Sequence, residues 1–196
     1  MTKYIPNSLT ILRVFAIPIF IFYAMTDKPL IALSIFVVAS ITDYLDGFIA
    51  RKYNIITNFG KLMDPLADKI LVIAALIILN IYKIDSVPLL HWIVTAIIMT
   101  REIAVTILRH IYKKKNIVIQ ADIFGKIKTI TQMIATIAAL TFYTAWHTFQ
   151  FPFITQYTNI ITKTIQIFFW LVAIVTLMSG VNYFVTTVPQ MKKNER

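Results

Sequence analysis

Between Asp43 and Asp68 the chain reads D-Y-L-D-G-F-I-A-R-K-Y-N-I-I-T-N-F-G-K-L-M-D-P-L-A-D, placing four carboxylates, one Arg and two of its four glycines between long apolar runs. Charge in such surroundings is costly unless a ligand neutralises it. Asp43 and Asp46 are three apart and Asp64 and Asp68 four apart, so each pair lies on one face of a helix, one turn above the other. Two helices meeting by those faces would gather four like charges in one small volume, which is tolerated when metal ions neutralise them. Oxygen donors with no His or Cys nearby suit hard cations such as Mg²⁺ or Mn²⁺, not zinc. Such ions commonly serve phosphate chemistry.

The elements that must position these residues are apolar helices. The 196-residue chain is 58% hydrophobic, with mean hydropathy +0.74, too apolar for a soluble domain and long enough for several spans. Runs of about 20 apolar residues cross a bilayer, and six are predicted, over roughly 8–26, 30–50, 61–82, 88–112, 125–146 and 160–187. The fold class expected is therefore an all-α integral membrane protein of six transmembrane helices, a single domain over residues 1–196. The absence of Cys excludes a disulfide framework and thiol catalysis. The N-terminus carries no signal-peptide cleavage site, so the first run is expected to remain as a helix.

With six spans both termini share one side. That side collects thirteen Lys and Arg residues, against Lys28, Lys83 and Lys163 on the other. The positive-inside rule then puts both termini and the Asp motif in the cytoplasm. The same distribution accounts for the net charge of +10 through membrane orientation and anionic lipid, without nucleic acid as a partner.

The spacing Asp43-x2-Asp46-Gly47-x2-Ala50-Arg51-x8-Gly60-x3-Asp64-x3-Asp68 resembles, at every fixed position, the signature of the CDP-alcohol phosphatidyltransferase family. The resemblance implies two divalent cations, Mg²⁺ or Mn²⁺, held by Asp43, Asp46, Asp64 and Asp68, with Asp68 also the catalytic general base. It implies contacts to the CDP part of CDP-diacylglycerol from Gly47 and Arg51. A P-N-x-L-T-x-x-R opening at residues 6–13 adds Asn7 and Thr10, and a hydroxyl six residues past Arg51 adds Thr57. D-P-L-A-D-K at 64–69, T-R-E at 100–102 and G-K-x-K-T at 125–129 are similar to the bacterial branch whose acceptor is glycerol 3-phosphate. Its phosphate would be met by cations from Arg101, Arg109 and Lys126. Other members, with inositol phosphate, serine or phosphatidylglycerol as acceptor, share the motif. A homodimer in the plasma membrane of a bacterium, with its site facing the cytoplasm, is expected on the same ground.

Several of these residues have a second reading. Asn7 or Ser8 would cap the first helix, Asn58 the third, and Arg51 would flank a span on the positive side. Gly60 is expected to supply a tight turn, Pro65 to fall near a first helical turn, and Lys69 to snorkel. Arg101 and Glu102 lie inside an apolar run, and an ion pair between them is not expected because adjacent residues do not face one another on a helix. Arg13, deep in the first span, invites more than a structural role. Ser179 and Gly180 read as helix-packing residues. Trp146, Phe149, Phe151, Phe153 and Tyr157 read as an interfacial aromatic belt. A cation transporter is the rival from another class, but its sites lie near the midplane of repeated halves, and no repeat is evident.

Overall fold

The computed structural model describes residues 5–53, 58–114 and 123–194, and within these the backbone alone at 5–10, 44, 46–53, 58–65, 68, 110, 112–114, 123, 124, 126 and 186–194. The six apolar runs are six helices: α1 (Ile5–Met25), α2 (Pro29–Tyr53), α3 (Asn58–Ile81), α4 (Trp92–Lys114), α5 (Ile123–Thr144) and α6 (Pro152–Asn194). A two-residue hairpin, β1 (Lys83–Ile84) and β2 (Val87–Pro88), joins α3 to α4. A π-helical turn over Ala145–Phe149 ends on Gln150 in the left-handed region and leads into α6.

Helix starts differ from expectation in three places. α1 begins at Ile5, so Asn7 and Ser8 lie inside its first turn and neither is the cap. Pro6 is well accommodated there, because its missing N–H would have had no intrahelical partner. α3 begins at Asn58, so Gly60 is helical and Pro65 lies two turns in, where its ring removes one backbone bond. α6 starts at Pro152, earlier than the hydropathy alone places it.

The helices pack through small side chains. Ala32 and Ala39 of α2, Ala74 and Ala75 of α3, Ala135 and Ala139 of α5 and Ala173 of α6 are all buried, allowing the close backbone approach used when lipid replaces water. α3 touches α1, α2, α4 and α5, and its Leu71, Ala75, Leu76 and Leu79 are buried. Several buried hydroxyls bond within their own helices. Thr136, Thr144 and Thr176 donate to the carbonyls four residues back at 2.7–2.9 Å, so little polar surface is left to desolvate. Asn80 is buried and donates to Leu76 O and Thr95 Oγ1, both at 2.6 Å.

The exterior is apolar. On α6 the buried positions Phe169, Val172, Ala173, Thr176, Ser179 and Tyr183 follow helical spacing, while Leu171, Ile174, Met178 and Val181 between them are exposed. A helix apolar on its outer face as well as its inner one faces something other than water. Residues 152–185 of α6 are long and apolar enough to cross a bilayer, the one such segment among the described residues. Residues 11–25, 29–43 and 69–81 form shorter apolar stretches. The chain is an all-α protein with the surface of a membrane-associated one. At the end carrying the hairpin, Phe149 and Phe151 stack at 5.5 Å, Phe153 and Tyr157 lie 4.9 Å apart, and all four are exposed, with Trp146 half-buried among them.

Candidate active site

The Asp motif is carried by two helices in contact. α2 runs through Asp43, Asp46, Gly47 and Arg51, and α3 through Asp64 and Asp68. Of the four carboxylates, that of Asp43 belongs to the described residues. Asn7 and Thr10 fall on the first two turns of α1, which also packs on α2 and α3. Thr57 lies outside the described residues.

α1 and α2 run antiparallel around the tight connection at 26–28, and this brings Arg13 opposite Asp43. Arg13 is fully buried, and its Nη1 lies 2.7 Å from Asp43 Oδ1, whose side chain is 34% exposed. A guanidinium is tolerated inside an apolar bundle when a carboxylate and good geometry accompany it. The charge in α1 therefore fixes one motif carboxylate from behind.

A second charged group forms where α3, α4, α5 and α6 converge. Arg101 and Glu102 of α4 do pair, Nη1 to Oε1 at 3.1 Å, against the expectation from their adjacency. The rule holds for short side chains; Arg is long enough to curl back to its neighbour when a second partner holds it there. That partner is Ser179 of α6, whose Oγ accepts from Arg101 Nη2 at 2.7 Å. Lys128 of α5 is buried and donates to the same Glu102 Oε1. Lys69 of α3 does not snorkel, since its Nζ donates inward to Thr106 Oγ1, which in turn donates to Glu102 O at 2.6 Å.

The basic candidates are thus placed differently from one another. Arg101 is largely buried and doubly held, whereas Arg109, eight residues on and about 12 Å along the helix, is exposed. Lys126 lies in the first turn of α5, two residues before Lys128 and about 200° around the helix from it. Glu102, Ser179 and the G-K-x-K-T stretch that contains Lys128 stand out in the sequence, but nothing in their spacing brings them together. The signal available was charge within apolar runs, and it named the helices but not the partners. His147, at the opposite end, lies 3.4 Å from Asp27.

Comparison with known proteins finds relatives along most of the chain. The family model described as CDP-alcohol phosphatidyltransferase matches residues 3–178. The CDP-diacylglycerol–glycerol-3-phosphate 3-phosphatidyltransferase of Bacillus subtilis (strain 168) is 38% identical over 195 residues, covering 92% of this chain and 93% of that protein. The protein of the same name in Rickettsia bellii (strain RML369-C) is 36% identical over 187 residues, with 92% and 93% covered. A probable phosphatidylglycerophosphate synthase of Mycobacterium tuberculosis (strain ATCC 25618 / H37Rv) is 41% identical over 135 residues, with 66% and 62% covered. No solved structure is a significant match. The aspartate spacing on two touching helices and the match along nearly the whole chain lead to one conclusion: the protein belongs to the CDP-alcohol phosphatidyltransferase family.

Proposed function

We infer that this protein transfers the phosphatidyl group of CDP-diacylglycerol to glycerol 3-phosphate, giving phosphatidylglycerophosphate and CMP. The observation that carries the reading is the 38% identity to a relative of that name along 92% of this chain. The intact aspartate motif supports it. Six spans, both termini in the cytoplasm, a multi-pass position in a bacterial plasma membrane and a homodimeric state complete the proposal. The Lys and Arg asymmetry supports the orientation.

Asp43, Asp46, Asp64 and Asp68 offer oxygen donors alone, from two helices in contact, a donor set that fits a hard divalent cation. Two such ions, when bound there, supply charge neutralisation for a diphosphate and its departing CMP. The protein's own groups do the rest. Arg51 presents a planar fork to the diphosphate, and Gly47, lacking a Cβ, lets it come close to the backbone. Asn7, Thr10 and Thr57 hold the cytidine side. Arg101, Arg109 and Lys126 hold the acceptor's phosphate. Asp68 takes the proton of the acceptor hydroxyl as its oxygen bonds to the lipid-side phosphorus and the bond from that phosphorus to the CMP oxygen breaks. Orientation of two bound substrates accounts for much of the rate.

The test is CMP release by the purified protein in detergent, with CDP-diacylglycerol and Mg²⁺, comparing glycerol 3-phosphate, inositol phosphate, serine and phosphatidylglycerol. Turnover with glycerol 3-phosphate alone, lost in Asp68→Asn, is the expected result. Turnover with another acceptor overturns the substrate, near-normal turnover in Asp68→Asn overturns the base, and silence with every acceptor overturns the reaction.

A further inference from the structure

The S-G pair at 179–180 of α6 is used by neither the aspartate motif nor the basic candidates, yet it touches Arg101 at two points. Ser179 is buried, and its Oγ accepts from Arg101 Nη2 at 2.7 Å. A Cβ at Gly180 would stand 3.3 Å from Arg101 Cγ, so the bare backbone at 180 leaves room for the stem. From the other side Glu102 Oε1 receives Nη1 at 3.1 Å, and Lys128 donates to that same oxygen. One carboxylate is therefore shared by two cations, and the three side chains carry a net positive charge. Had Glu102 served Arg101 alone, the pair would be neutral and would attract an anion weakly. Arg101 Nε is buried without a hydrogen-bond partner among the described residues, which leaves it a donor to offer.

We infer that Ser179, Gly180 and Glu102 are positioning residues for Arg101, holding its guanidinium in one rotamer as a preformed cationic surface for the acceptor's phosphate, while Lys128 keeps the cluster positive. This rests on the assignment of Arg101 to the acceptor. A long side chain fixed before substrate arrives spares the binding step its rotamer entropy. A released one returns that cost to the acceptor and not to the nucleotide lipid.

The experiment is steady-state kinetics of the purified protein in detergent with each substrate varied in turn. Ser179→Ala is expected to raise KM for glycerol 3-phosphate by about tenfold, the weight of a lost hydrogen bond to a charged group, and to leave KM for CDP-diacylglycerol within about twofold. Ser179→Thr, which keeps the hydroxyl, is expected to restore most of the loss. Gly180→Ala, which displaces the stem without removing a bond, is expected to shift the same KM in the same direction, and it serves as the probe if Ser179→Ala fails to fold. In an Arg101→Ala background Ser179→Ala should add nothing, because it acts through the absent side chain.

Equal shifts in both KM values, or an undiminished effect of Ser179→Ala without Arg101, overturn the positioning role. If Arg101→Ala raises KM for glycerol 3-phosphate and neither Ser179→Ala nor Gly180→Ala does, the positioning falls and the acceptor assignment stands. If Arg101→Ala leaves that KM unchanged, the assignment itself falls and the positioning with it.

Discussion

Replacing Arg13 by Gln removes a charge that is wholly inside the bundle while keeping a polar side chain of similar reach. The bond lost is Nη1 to Asp43 Oδ1, 2.7 Å long, between a side chain with no exposure and one 34% exposed. Breaking a fully buried pair costs about 3–5 kcal/mol, and a hydrogen bond to a charged group contributes about 1.5–3 kcal/mol. Water reaches the Asp43 side and takes over part of the lost bond, so Arg13→Gln falls at the low end, about 2 kcal/mol. Asp43→Asn leaves the guanidinium buried without this carboxylate and is the costlier change, about 3–5 kcal/mol. For a chain of this size each kcal/mol lowers Tm by about 2–4 °C. Arg13→Gln should therefore melt about 4–8 °C below the parent and Asp43→Asn lower still, with the double variant well above the sum of the two losses. Tryptophan fluorescence during heating in detergent, without divalent cation, reads this directly. A Tm for Arg13→Gln within 1 °C of the parent, or strictly additive losses in the double variant, would refute the reasoning.

Three further outcomes are expected. Asn80→Ala, which removes bonds of 2.6 Å to Thr95 Oγ1 and Leu76 O, should cost about 1–3 kcal/mol in the same melt and leave both KM values unchanged, since it lies twelve residues, about 18 Å, along α3 from Asp68. Chelation with EDTA should stop CMP release, and Mg²⁺ or Mn²⁺ in excess should restore it; activity that persists through chelation contradicts the carboxylate site. Because the chain has no Cys, a single Cys at Lys83 should react with a membrane-impermeant maleimide on intact cells, and one at Lys52 only after lysis. The reverse pattern would invert the orientation.

The helices were legible because each needs only its own residues: about 20 apolar side chains in a row specify a spanning length whatever lies beside them. The spacing of Asp43, Asp46, Asp64 and Asp68 was legible for the same reason, being local within each helix. Pairings between helices were not. That Arg13 meets Asp43 depends on how α1 turns back onto α2, and that Lys128 meets Glu102 depends on which faces of α4 and α5 converge. Arg101 shows a local rule failing for a tertiary reason, since Ser179 draws its guanidinium into a position from which Glu102 is reachable. The start of α6 was missed because Thr155, Gln156, Thr158 and Asn159 lower the hydropathy there, although Pro152 suits a first helical turn.

α6 has 43 residues, about 65 Å of helix, against a hydrocarbon layer of about 30 Å. Its apolar part alone, residues 152–185, is about 51 Å long. A helix crossing that layer at the usual tilt of about 20° needs only some 21 residues to do so. The remainder exceeds one crossing, and the end bearing the exposed Phe153 and Tyr157 has the amphipathic aromatic side chains of an interfacial zone. The helix that holds Arg101 through Ser179 is therefore longer in its apolar part than a bilayer crossing requires. The contact with Arg101 falls near the far end of that apolar part, at Ser179, and the helix runs on fifteen residues beyond it.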